Sequence, residues 1–145
     1  MSAAAGRVLA IDLGSVRIGL ALSDPRRVVA QPLETLQRVG PRKDLQRIAE
    51  LVARHEASVV VVGLPRLLSG GEGKQAAAAR AFADKLQSRL PGRRVDLWDE
   101  RLTTAEAERT MISGNVRRRR RKEVVDTLAA VLILQGYLDA HGTGE

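Results

Sequence analysis

"SVVVVGLP", residues 58–65, holds four consecutive valines, Val59 to Val62. A continuous β-branched run of this kind marks a strand buried on both faces, the habit of a parallel sheet covered by helices. Before it, "PRKDLQRIAELVARHE" (41–56) carries Leu45, Ile48, Ala49 and Val52 on one helical stripe behind a helix-start proline. After it, the glycine-rich "LLSGGEG" (67–73) leads into an alanine-rich helical stretch over 74–90 and then a strand, "RVDLWDE" (94–100). Such β-α-β alternation predicts parallel crossovers. Nearer the N-terminus, "VLAIDLG" (8–14) and "IGLALSD" (18–24) flank Ser15-Val16-Arg17 and read as a hairpin. A third strand follows in "VVAQPLETL" (28–36), irregular at Pro32. Toward the C-terminus, "TTAEAERTMISG" (103–114) reads as a helix, with Thr103 and Glu106 as a capping box and Gly114 as its stop. A last helix occupies about 123–139. The order β-β-β-α-β-α-β-α-α predicts an α/β fold, a mixed five-stranded sheet with helices on both faces.

The 145 residues suit one domain over 1–145, with loose tails at 1–6 and 140–145. There is no cysteine, no apolar run behind a basic N-terminus and no membrane-length segment, so the expected setting is the cytoplasm without membrane. A net charge of +7 suits a polyanionic partner. Phe82, Trp98 and Tyr137 are the whole aromatic set, too few for a base-stacking platform. Contacts to nucleic acid would therefore fall on the phosphate backbone. The cationic run Arg117, Arg118, Arg119, Arg120, Arg121 and Lys122 reads either as a solvated loop or as an arm for such contacts.

That arm joins directly to "VVDTLAAVLILQ" (124–135), in which Asp126 is the one charged residue. A carboxylate in so apolar a helix needs a partner, a metal or a place at the rim of the core. Otherwise it merely favours the helix dipole near the start. Two further acids sit where α/β sheets build sites, at strand carboxyl ends: Asp12, in the pattern Asp12-x-Gly14, and Glu100, with Asp99 as its rival. Three converging carboxylates would repel one another unless they held a divalent cation, and oxygen-only ligands suit Mg²⁺ or Mn²⁺. Metal ions held in this way can cut a phosphodiester. No zinc-type Cys/His spacing and no activated serine or cysteine compete with this reading. "GLPRLLSGGEGKQ" (63–75) fails as a phosphate-binding P-loop, because Leu68 stands where glycine belongs and Gln75 where serine or threonine does. Its tip reads as a surface turn, and Gly63-Leu64-Pro65 as the functional part.

Together "VLAIDLGSVRIGLALSD", "VVVVGLP", "DERLTTAEAE" and "VVDTLAAVLILQGYL" resemble the YqgF (RuvX) family, in order, from about Arg7 to Leu138. Its members are described as Holliday junction resolvases or pre-16S rRNA nucleases of RNase H-like fold. The resemblance implies a sheet of order 3-2-1-4-5 with the first three strands antiparallel. It implies that Asp12, Glu100 and Asp126 are a metal-binding catalytic triad. It also implies that Arg17, Gly63, Pro65, Arg101 and Thr103 line or shape the site. In that strand order Glu100 must lean across the fourth strand to share a metal with Asp12. Arg66 and Ser69 depart from the family's usual loop pattern. The implied partner is nucleic acid, either pre-16S rRNA or structured DNA, bound by a monomer or a homodimer. Two other readings compete. One is a nucleic-acid-binding module without catalysis. The other is an actin-like ATP-binding domain, which would need a second such domain to close over its nucleotide.

Overall fold

The structure, a computed structural model, describes residues 6–67, 69–100 and 121–141, with side chains from residue 128 onward in the last stretch. The elements are β1 (Arg7–Leu13), β2 (Arg17–Ser23), β3 (Ala30–Gln37), α1 (Pro41–Arg54), β4 (Ala57–Leu64), α2 (Lys74–Arg89), β5 (Arg94–Asp99) and α3 (Arg121–His141). The five strands form one sheet in the order β3-β2-β1-β4-β5. β1, β2 and β3 pair antiparallel, while β4 lies parallel to β1 and β5 parallel to β4.

Strand side chains alternate between the two faces. Leu9, Ile11, Val60 and Val62 point to one face and form a core with Leu45, Ile48 and Val52 of α1 and Ala79, Phe82 and Leu86 of α2. Val8, Ala10, Val59, Val61 and Trp98 point to the other and pack with Ala130, Val131, Ile133 and Leu134 of α3. The valine run is thus buried on both sides, which is why it shows no polar alternation. Each fully buried leucine or isoleucine contributes about 1.5–3 kcal/mol. Trp98 meets the Tyr137 ring edge-on at 5.7 Å, and Tyr137 donates a 2.7 Å hydrogen bond to Asp96 Oδ2. His141 stacks on Tyr137 at 4.0 Å. These contacts anchor the C-terminal half of α3 on β5.

Several boundaries differ from the sequence reading. β3 starts at Ala30 rather than at residue 28, because the Asp24 carboxylate accepts the Val28 and Val29 amides and holds them in the preceding loop. The ladder slips between Leu20 and Ala21, where Ala21 faces Pro32, the irregularity the proline predicts. α3 runs from Arg121 to His141, so Ala140 and His141 are helical rather than tail. Gly6, also expected in a tail, accepts a 2.8 Å hydrogen bond from Arg27 Nε. No helix among the described residues is long and apolar enough to cross a membrane.

Candidate active site

Alternation along the strands decides which side chains can meet. On β1, Val8 and Ala10 face α3, so Asp12 does too; on β4, Val59 and Val61 put Gly63 on that face. On β5, Trp98 faces α3, and Glu100 follows two residues later, just past the strand end. Gly63 pairs with Trp98 across the β4–β5 ladder. β4 lies between the strands that carry the two acids, and Gly63 is the residue that lets Glu100 reach over it. A Cβ built on Gly63 would stand 2.8 Å from Glu100 Oε2 and 2.5 Å from Ile133 Cδ1. The Glu100 head group and the Ile133 side chain of α3 therefore fill the space a larger residue would take. Asp12 and Glu100 line one cavity of about 330 Å³ with Leu13, Gly14, Ser15, Arg38, Pro65, Lys74, Gln75 and Ala78.

The electrostatics follow from this crowding. Burial pushes the Glu100 carboxyl up to about 7, and the charges of Asp12 and Asp99 add to the shift. Asp99, on the opposite parity, is engaged by Arg66 Nη1 at 3.4 Å. The pairing of Asp99 with Arg66 and the placement of Glu100 against Gly63 resolve which acid of the pair serves the cavity. Two carboxylates in one pocket, one held partly protonated by its surroundings, make a donor set of hard oxygens that a Mg²⁺- or Mn²⁺-sized ion fits. Among the described residues no third metal-ligating side chain joins them.

The Asp12-x-Gly14 turn is built on glycine for a local reason. Gly14 N donates to Arg17 O at 2.9 Å, and a Cβ there would lie 2.5 Å from that same carbonyl oxygen. Arg38 braces the turn from the β3–α1 connection, donating from Nη1 to Gly14 O at 3.0 Å and from Nε to Asp44 Oδ2 at 3.2 Å. Asp44 is wholly buried and also accepts the Val39 amide at 3.0 Å. Burial alone would raise its pKa; the Val39 amide and the Arg38 guanidinium, with the Gly40 amide, outweigh burial and hold it below the usual carboxylate range.

Of the residues singled out in the sequence, Asp12, Gly14, Gly63, Pro65 and Glu100 come together here. Arg17 opens β2 on the same face as Ala21, toward α3. Arg101, Thr103 and Arg117 to Arg120, with the helix expected over 103–114, lie outside the described residues. Arg121, Lys122 and Asp126 lie in the helical backbone of α3, with side chains outside the described set. Among its described residues, the 66–73 loop closes as a turn, as its tip predicts. Arg66 hydrogen-bonds Gly70 O, Leu67 N donates to Gly71 O, and Gly70 N donates to Leu67 O. Its departure from the family pattern thus supplies the arginine that engages Asp99. Sequence reasoning missed Arg38, Lys74 and Gln75. A usable signal was present at Asp44, which falls on the same stripe of α1 as Ile48 and Leu51, an acid on an apolar face like Asp126.

Residues 6–140 match the family model described as "RuvX: Holliday junction resolvase". A relative from Desulforudis audaxviator is 48% identical over 95% of this chain and 97% of its own. One from Nocardia farcinica is 50% identical over 92% of this chain and 78% of its own. Both are provisionally named pre-16S rRNA nucleases. Among solved structures, Thermus thermophilus RuvC in complex with a Holliday junction substrate superposes with a TM-score of 0.63 at 16% identity, covering 95% of this chain and 98% of that one. The Fowlpox virus resolvase in complex with Holliday junction DNA gives 0.53 at 10% identity, covering 93% and 98%. Likeness at such identities speaks for the RNase H-like fold alone. With a matching family model over nearly its whole length and relatives near half identity, the chain belongs to the RuvX family.

Proposed function

We propose that this chain is a divalent-metal-dependent nuclease that hydrolyses phosphodiester bonds and acts on the 5′ end of pre-16S rRNA in ribosome biogenesis. The observation that carries the reading is the meeting of Asp12 and Glu100 in one cavity, across a β4 residue with no side chain. Asp12 and Glu100, with Asp126 from α3, would hold Mg²⁺ or Mn²⁺. The chemistry such a cation supplies when bound is activation of water and neutralisation of charge on the phosphate. Asp12 sits at the end of a central strand, which fixes its position; Glu100, raised to about 7 by burial and by the charges of Asp12 and Asp99, would be the easier to ionise beside a bound cation. The direction of α3 supports the place given to Asp126. Tyr137 meets Asp96 in the middle of β5 and Ile133 covers Gly63 near the end of β4, so the helix runs toward the strand carboxyl ends as it is followed back to Arg121. Position 126 shares a stripe with Ala130 and Ile133 and falls more than one turn into the helix, where the dipole offers a carboxylate little. The names of the relatives favour the rRNA role, while the description of the matching family model favours a second reading, resolution of four-way DNA junctions.

The deciding assay compares a labelled 16S precursor leader with a four-way DNA junction, each in Mn²⁺, Mg²⁺ or EDTA. Metal-dependent cutting of the RNA alone is the expected result. Symmetric cutting of the junction would move the protein to recombination. Binding without cutting of either would overturn the nuclease reading.

A further inference from the structure

Asp44 is 0% exposed and sits in the first turn of α1, away from the pair of acids in the cavity. Burying a carboxylate is costly, and Asp44 is not the cap of α1, whose N-cap is Gly40. What Asp44 adds is a grip on Arg38. Its Oδ2 holds Arg38 Nε at 3.2 Å while its Oδ1 is fixed by the Val39 amide at 3.0 Å. Arg47 supports it from the solvent side, with Nη1 at 3.9 Å from Oδ1 and 2.9 Å from Gln37 O. Arg38 is further pinned by its own amide, which donates to Val16 O at 2.9 Å, and by Nη1 on Gly14 O. The guanidinium is thus clamped in one orientation although 26% of its side chain remains open, and it lines the same cavity as Asp12 and Glu100. A guanidinium has five donors in a planar fork. Two serve the clamp, and the rest have no partner among the described residues. Lys74, at the start of α2, also lines the cavity. The pocket therefore has an acidic pair and two cations around one space.

Resting on the nuclease reading, we infer that Arg38 binds a backbone phosphate of the nucleic-acid strand beside the acidic pair, and that Asp44 is the positioning residue that aims it. A phosphodiester brought against Asp12 and Glu100 needs positive charge on its far side, and a fork of fixed orientation can take both non-bridging oxygens at once. Lys74 adds a point charge to the same phosphate path. Neither residue belongs to the 117–122 arm, so this is a second set of phosphate contacts, set by the scaffold at the strand ends.

The test reads salt dependence. Affinities of wild type, Arg38→Gln, Arg38→Lys and Asp44→Asn for a single-stranded RNA and for a four-way DNA junction are measured from 50 to 300 mM KCl, with Ca²⁺ in place of Mg²⁺. Loss of one phosphate contact flattens the plot of log K against log salt by about 0.7 for the single strand and about 0.9 for duplex arms. Arg38→Gln is expected to show that change. Arg38→Lys keeps the slope but binds several-fold more weakly, since it keeps the charge and loses the fork. Asp44→Asn also keeps the slope and weakens binding, since the guanidinium is present but unheld. A merely structural staple would alter melting temperature in Arg38→Gln and leave the slope unchanged, and that result would overturn the inference. Cleavage by wild type in Mn²⁺ is scored separately. A wild type that cuts, with an Arg38→Gln slope equal to its own, sinks the phosphate role and spares the nuclease. An Arg38-dependent slope in a chain that cuts nothing does the reverse. A chain that neither binds nor cuts removes both.

Discussion

A methyl group at Gly63 would have to displace both Glu100 and Ile133, since both lie within 2.8 Å of where it would stand. Both neighbours can rotate, so Gly63→Ala should fold, with a loss of about 1–3 kcal/mol from overpacking. Its cleavage rate should fall by roughly 10²-fold, because a displacement near 1 Å at a reacting group costs that much. Melting curves and rates measured together check this. A second change, Ile133→Val, should recover stability and leave activity low, since Glu100 stays displaced. Glu100 itself makes a prediction about pH. Its folded pKa is raised from 4.5 to about 7, so the folded protein holds a proton that the unfolded chain releases. The metal-free fold therefore loses stability as pH rises from about 4.5 to about 7, then no further from this group. Glu100→Gln removes that loss. Without metal it should melt above wild type at pH 8, by on the order of 1–2 kcal/mol once screening of a partly exposed head group is allowed for, and converge with it near pH 5. Equal melting at both pH values would show that Glu100 is not crowded. The acid itself was legible from its place after a strand, and its lean across β4 from the strand order the resemblance implied; the space for that lean was not, because it depends on how the fold sets Glu100 and Ile133 over Gly63.

The hairpin of β1 and β2 was readable because two apolar runs flank three residues and glycine closes the first. The valine run was equally clear, since burial on both faces leaves a pattern that nothing polar interrupts. Edges were harder. Val28 and Val29 have strand-like side chains, yet Asp24 takes their amides, and no propensity reports a hydrogen bond of that kind. The role of Arg38 was hidden for a similar reason. It lies between β3 and α1 in sequence but acts on the β1–β2 turn, joined to it only through folding. The turn itself carries a sharp expectation. Gly14→Ala places a methyl group 2.5 Å from a backbone oxygen that cannot rotate away. It should cost roughly 2–4 kcal/mol, read as a lower urea midpoint at unchanged slope. A midpoint within experimental scatter of wild type would mean that the turn can open without penalty.

The molecule as a whole is a cation with an acidic pair at one end of its sheet. Its formal charge of +7 suits a polyanion, and under the proposed function the pair would mark where one phosphate of that polyanion is read differently from the rest. Replacing Arg117 to Lys122 with serine should reduce the salt slope of binding by about 0.7–0.9 for every phosphate the arm touches, with cleavage at saturating substrate much less affected. A mutated arm that binds as before would place the attraction elsewhere on the surface. Charge and class were visible in composition, and the order of strands followed from the family resemblance, which the sheet bears out. In the proposed function the acids act as one metal-holding unit. That is tested most directly by titrating Mn²⁺ into a cleavage assay with wild type, Asp12→Asn, Glu100→Gln and Asp126→Asn, each first shown to melt cooperatively. All three variants are expected to stay at least 10²-fold below wild type at every Mn²⁺ concentration, because each removes a ligand rather than a substrate contact. Wild-type rates in any one of them would contradict it.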